Sequence, residues 1–108
     1  MVVHFAEVNA PAPNPGEYWV YILESSDGAL YVGQTNNVPE RLRKHGYRIG
    51  SKFTRDHIRP TLVYVERRAT LQEAVSREAQ LKRWSRAKKE ALIRGDAQSL
   101  HRLSRSRD

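Results

Sequence analysis

The sequence predicts a small mixed α/β domain of the α+β kind: a three-stranded, mainly antiparallel sheet flanked by helices in the order β-β-α-β-α-α. Three observations lead there. Two aromatic and β-branched runs, residues 18–24 and 29–35, flank Ser-Ser-Asp-Gly and read as a hairpin. A third such run, 61–66, follows Pro60. Helix-start signals come after the second and third runs, at Val38-Pro-Glu40 and Thr70-Leu-Gln-Glu73.

At 108 residues, one domain with a core large enough to fold alone is expected. The organisation expected is a Pro-rich flexible arm over 1–16, a domain over 17–95, and a basic, frayed tail over 96–108. Formal charge is +7, from 19 Lys and Arg against 12 Asp and Glu, and the sequence pI is about 10.1. That excess favours a polyanionic partner, with nucleic acid ahead of an anionic membrane surface. The absence of cysteine excludes a disulfide framework and a thiolate zinc site. No apolar run approaches the roughly 20 residues of a membrane span. Residues 1–8 lack a basic segment and include Glu7, a poor signal peptide. A soluble, cytoplasmic protein is the expectation.

The arm ends in Asn-Ala-Pro-Ala-Pro-Asn-Pro-Gly, whose prolines remove backbone donors and resist regular structure. It reads as extended or disordered, with an edge strand around Val2, Val3 and Phe5 as the alternative. Strand one, 18–24, is apolar on both faces. The turn then sets the register. A two-residue Asp-Gly turn would send Tyr21 and Tyr31 to opposite faces. A three-residue loop with Gly28 left-handed in the bulge position sets Tyr21 opposite Gly33 and Tyr31 opposite Leu23, on one face. Gly in the last loop position favours the second. Gly33 then leaves room for a ring or a ligand to approach the backbone.

A helix over 38–45 follows, with Pro39 in its first turn, Glu40 at its positive end and Gly46 as its stop. It places Arg41 and His45 on one face. Residues 46–59 form a basic loop with Arg48, Lys52, Arg55, His57 and Arg59 around Tyr47 and Phe53. Thr70 to Glu73 is a capping box opening the next helix. Its apolar stripe is Leu71, Ala74, Val75 and Leu81, and Glu78 falls on the same line. A carboxylate there must be paired or metal-bound. Ser85 caps a last helix over 86–94, ended by Gly95.

Each of these residues also has a structural explanation. Tyr21 and Tyr31 suit half-buried strand positions, Arg41 a solvated helix face, and His45 a helix C-terminus. Glu78 can pair with Lys82 at i+4, and Trp84 suits a core anchor. Together, two phenols, an Arg, a His and an inward Glu are a poor set for packing. They are a good set for activating water near a metal beside a phosphodiester.

Val20-Tyr21-Ile22, followed by Tyr31-Val32-Gly33, resembles the paired signature of the GIY-YIG nuclease family, with Val20 for the first Gly and Val32 for the second Ile. The small single-domain bacterial branch, related to the N-terminal nuclease domain of the UvrC repair subunit, is the most similar. Its further marks stand here at 19–23, Asp27-Gly28, Arg41 to His45, 50–55 and Glu78 to Lys82, so the resemblance covers about 17–95 in order. It implies that Tyr21 and Tyr31 lie at the catalytic centre with Gly28 and Gly33 shaping it. It further implies that Arg41 contacts the scissile phosphate, that His45 assists proton transfer, and that Glu78 holds one divalent cation. That cation would be Mg²⁺, with Mn²⁺ as a substitute. Two departures leave the general base open: Gln34 stands where the repair branch has Lys, and Glu90 stands where some relatives have Asn.

The expectation is a Mg²⁺-dependent endonuclease that hydrolyses DNA, directed by structure rather than sequence, in repair or processing. RNA is left open as substrate, and so is a protein partner for targeting. Lys52, Arg55 and Arg59 would grip the backbone, with Lys82, Arg83, Lys88 and Lys89 widening the footprint. The alternatives are a non-catalytic nucleic-acid-binding module of the same fold and a protein-interaction domain.

Overall fold

Strand β1, Tyr18–Glu24, is the middle of the molecule. Val20, Tyr21, Ile22 and Leu23 are each at most 3% exposed, and burying side chains of this size contributes about 1.5–3 kcal/mol apiece. A strand buried on both faces needs a cover on each side, and the remaining elements supply it. The computed structural model describes residues 4–46 and 60–104, with the side chains of residues 45 and 46 excepted. Among these residues the elements are β1, β2 (Leu30–Thr35), α1 (Val38–Gly46), β3 (Thr61–Arg68), α2 (Leu71–Arg83), α3 (Arg86–Arg94) and α4 (Ala97–Ser104). The sheet is antiparallel in the order β2-β1-β3.

The hairpin takes the three-residue loop. Ser25 and Ala29 are joined by an N–H to carbonyl bond of 2.9 Å, and Gly28 has φ 91°. Asp27 fastens the loop by accepting from the Ser25 hydroxyl and from the Ala29 amide. The resulting register sets Tyr21 opposite Gly33 and Leu23 opposite Tyr31, as the sequence predicts. On the other side of β1 the pairing slips between Ile22 and Leu23. That bulge brings Leu62 and Val65, of opposite parity, into one cluster with Tyr21 and Leu23.

Two cores result. Tyr21, Leu23 and Leu62 pack with Val38 and Leu42 of α1 and with Val8 of the arm. Val20 and Val32 pack with Ala74 and Leu81 of α2, Trp84, and Leu92 of α3. The arm, expected to be flexible, is tied down over the described residues 4–16. Val8 donates to the Leu62 carbonyl at 2.9 Å, and Phe5 donates to the buried Glu24 carboxylate at 2.9 Å. It has no regular structure there, and Val2 and Val3 lie outside the described residues. By lying along β3 it covers a sheet edge that would otherwise expose unpaired backbone groups.

The caps follow the sequence. Asn37 accepts from the Glu40 amide at 3.1 Å, Thr70 from Glu73 at 3.0 Å, and Ser85 from Lys88 at 3.2 Å. Gly95 ends α3 at φ 69°, where the Gly95 and Asp96 amides reach back to Leu92 and Ala91. The tail departs from expectation, since residues 97–104 form a helix rather than a frayed end. Asp96 starts it by accepting from the Ser99 amide at 3.1 Å, a cap hidden in a stretch rich in serine and arginine. Residues 105–108 lie outside the described residues.

Beneath α2, Glu66 accepts from Tyr64 at 2.5 Å, from Arg68 Nε at 2.7 Å and from Arg77 Nε at 2.9 Å. Burial alone would push this carboxyl up. The Tyr64 hydroxyl and the two guanidiniums outweigh it and hold the group below the ordinary carboxylate range. Its contribution to stability is therefore present above the unfolded-state carboxyl value and lost as pH falls through the folded one. Glu66→Gln is expected to cost about 2 kcal/mol at neutral pH. The melting-temperature gap from wild type should narrow as the pH is taken below the ordinary carboxylate range, which thermal unfolding at a series of pH values measures.

Candidate active site

The site is built where β1, β2, α1 and α2 meet. Tyr21 is 3% exposed, and its ring lies over Gly33 on the neighbouring strand. A Cβ placed at Gly33 would come within 2.5 Å of Tyr21 Cζ. Close approach, rather than an unusual backbone angle, is what demands glycine there. Arg41 stands one turn into α1, its amide bonded to the Asn37 carbonyl at 3.1 Å. Its guanidinium donates to the Tyr21 hydroxyl, and the charge of Glu78 reaches the same phenol from α2. The charges of Arg41 and Glu78, far apart in sequence, thus both act on Tyr21.

Their balance sets the state of Tyr21. Burial pushes the phenol up, Arg41 pulls it down through its charge and its hydrogen bond, and Glu78 adds a smaller upward push. Burial wins, so the phenol is protonated at neutral pH. Tyr31 lies on the same face, as its pairing requires, but is 53% exposed. A groove of about 330 Å³ opens beside Arg41, lined also by Tyr18, Gln34, Thr35, Asn36 and Leu71. Tyr18, Asn36 and Leu71 had no signal in the sequence that marked them for a site.

Glu78 shares the helix line of Ala74 and Leu81, the side of α2 that packs on the sheet, and its own side chain is 22% exposed. Ala74 and Leu81 are buried, but Leu71 and Val75 are 51% and 45% exposed, so Glu78 stands at the boundary between core and solvent. It pairs with Lys82 at 3.1 Å. Among the described residues no cluster of three or more His, Asp or Glu is arranged to hold a metal. A single carboxylate at a wet boundary fits Mg²⁺, which keeps several waters and takes one or two carboxylates, better than a metal needing a protein cage.

The remaining expected residues divide. His45 is in the last turn of α1, with its side chain outside the described residues. Lys52, Arg55 and Arg59, with the rest of the basic loop, also lie outside them. Gly28 takes its left-handed place in the hairpin loop, φ 91°, and through the loop sets the register of Tyr21 and Tyr31. Lys88 is corrected. It is only 7% exposed, with its ammonium 4.4 Å from the Trp84 ring centroid. Its charge is spent on the indole, a cation–π contact, and not on a surface footprint. Trp84 is a core anchor, packed against Val20, Ala74 and Leu81. Glu90 is held in exposed ion pairs with Arg86 and Arg94. Arg83 lines a larger groove of about 680 Å³ with Gln72, Ser76 and Gln80, on the flank of α2 away from Glu78. Lys89 is half-buried on α3.

Residues 17–91 match the GIY-YIG catalytic domain. The chain belongs to the GIY-YIG family. Among its relatives, the UPF0213 protein of Natronomonas pharaonis is 40% identical over 71% of this chain and 91% of its own length. That of Syntrophus aciditrophicus is 43% identical over 70% and 88%, and that of Halobacterium salinarum 42% over 68% and 96%. The solution structure of the UPF0213 protein from Bacillus halodurans is 35% identical and covers 83% of this chain and 99% of that one, with a TM-score of 0.49. GIY-YIG proteins are nucleases acting on nucleic acids, and this chain carries their catalytic domain. Among the described residues no helix is long and apolar enough to cross a membrane.

Two substitutions check the geometry. Arg41→Ala removes the cation that opposes burial, so the Tyr21 phenol should ionise at still higher pH. Ultraviolet titration against a Tyr21→Phe reference reads this. Gly33→Ala should force the Tyr21 ring aside and lower the melting temperature, whereas alanine at a spacious strand position would not.

Proposed function

We propose that this protein is a Mg²⁺-dependent endonuclease that hydrolyses phosphodiester bonds in DNA, directed by the structure of its substrate, in DNA repair or processing. The observation that supports this reading is the buried Tyr21 phenol over Gly33, hydrogen-bonded by Arg41 and within reach of the charge of Glu78, with Tyr31 on the same face of the sheet. A binding module has use for Arg41 but none for an acidic Glu78 held beside a phosphate.

Each side chain has a task set by its surroundings. Arg41 offsets charge developing on the non-bridging phosphate oxygens, a contribution often worth about 2.7–4 kcal/mol per donor by analogy with oxyanion sites. Tyr21, protonated by its burial, acts as a hydrogen-bond donor that orients the attacking water or a phosphate oxygen. Acceptance of the water's proton then falls to Tyr31 or to His45. Glu78 holds the Mg²⁺, which when bound supplies Lewis-acid polarisation of the phosphate and stabilises the leaving oxygen. Lys52, Arg55 and Arg59 hold the backbone, positioning the substrate without reading its sequence.

The test compares cleavage of single-stranded, duplex and branched DNA by wild type and Glu78→Ala, with Mg²⁺ or with EDTA. Cutting that needs the metal and falls at least about a hundredfold in the variant is expected, with DNA binding retained. A variant that cuts normally would sink the metal assignment. Replacing Lys52 and Arg55 together should weaken all sequences alike and flatten the salt dependence by about 1 for each cation removed from a phosphate. A changed sequence preference would count against their role.

A further inference from the structure

Glu78 and Lys82 lie one turn apart on α2, with Lys82 Nζ 3.1 Å from Glu78 Oε2. Their surroundings are unequal. The Glu78 side chain is 22% exposed and that of Lys82 is 56% exposed, so the carboxylate is fixed at the rim while the ammonium swings on a flexible stem. Leu71 and Val75, on the same flank of the helix, are exposed as well, and this flank is open to a ligand. An ion pair this wet is worth little to the fold. Its effect lies in the site: it neutralises the carboxylate whose charge reaches Tyr21.

We infer that Lys82 is a placeholder cation, which holds the Glu78 carboxylate while no divalent cation is bound and passes to a substrate phosphate when one takes its place. This rests on the metal-dependent reading above and adds a residue that couples cation binding to substrate binding. The exchange leaves neither the carboxylate nor the ammonium without a counter-charge, and the divalent ion on Glu78 carries one surplus positive charge that favours an anionic phosphate beside it. A divalent ion with oxygen preference displaces a single ammonium from the carboxylate. The freed ammonium then finds partners for its three donors on a phosphate. It also accounts for one lysine serving two partners, the carboxylate in the free protein and the backbone in the complex.

Two measurements test it. Mn²⁺ affinity, without nucleic acid, is read from the electron paramagnetic resonance of the free ion. Lys82→Met should bind Mn²⁺ about fivefold more tightly than wild type, the most a solvated pair of this kind is worth. Lys82→Arg should stay near wild type, and Glu78→Ala should lose the site. The second measurement needs no metal. In EDTA, Glu78→Ala frees Lys82 and should bind a labelled oligothymidylate about threefold more tightly, with a salt slope steeper by about 0.7. In a Lys82→Met background the same change should have a much smaller effect. Equal Mn²⁺ affinity in wild type and Lys82→Met, or an undiminished gain in that background, overturns the placeholder role and leaves metal-dependent cleavage untouched. Mn²⁺ binding that survives Glu78→Ala overturns the metal assignment and this inference together.

Discussion

The pairing of Tyr21 with Gly33 is the constraint on which the site depends. One buried ring laid over a neighbour with no side chain fixes where the phenol sits, and the phenol fixes where Arg41 must reach. A slip of one residue between β1 and β2 would carry Tyr31 to the opposite face and remove it from the site, because side chains alternate along a strand. The loop of Ser26, Asp27 and Gly28 therefore acts at a distance. By holding the hairpin in one register it decides which tyrosines meet.

The two faces of the sheet do different work. On the face covered by α1, the core and the candidate site share a residue, since Tyr21 is both a core side chain and the partner of Arg41. On the other face the buried charges are structural. Glu66 is satisfied by Tyr64, Arg68 and Arg77, and Trp84 is flanked by Arg77 at 5.2 Å and Lys88 at 4.4 Å. These groups anchor α2 to the sheet. Glu78 projects from that same helix, so its position relative to Tyr21 is set by interactions that take no part in chemistry. Glu78 stays partly exposed there, paired with Lys82, and avoids the desolvation cost of a fully buried carboxylate.

Electrostatics in the centre is a contest that burial wins. The cation beside Tyr21 pulls its phenol towards ionisation, and the apolar surroundings and Glu78 push it back. A phenol in this state keeps its proton, so its hydroxyl can donate while its oxygen accepts from Arg41. Exposed Tyr31, on the same face but not in the core, is under no such constraint of burial. Two tyrosines from one hairpin thus meet different environments, one buried and one exposed.

Short-range chemistry determined much of this protein from sequence alone. Gly28 at the end of its loop specified the register, and Pro39, Thr70, Ser85 and Gly95 specified helix ends, because each acts within a few residues of itself. The motif residues Tyr21, Tyr31, Arg41 and Glu78 were legible for the same reason, as spacings on a strand or a helix. Only the tertiary structure decided what those spacings came to mean. Leu71 and Val75 continue an apolar stripe yet face solvent, because α2 sits on the sheet through Ala74, Arg77 and Leu81. Lys88 reads as a surface cation yet is buried on Trp84, because an indole from the neighbouring turn accepts its charge. The Asp96 cap and the docked arm were missed, one hidden by composition and the other held by bonds to Glu24 and Leu62. Periodicity states which residues share a face, and the rotation of that face against its neighbours is fixed only when the whole core closes.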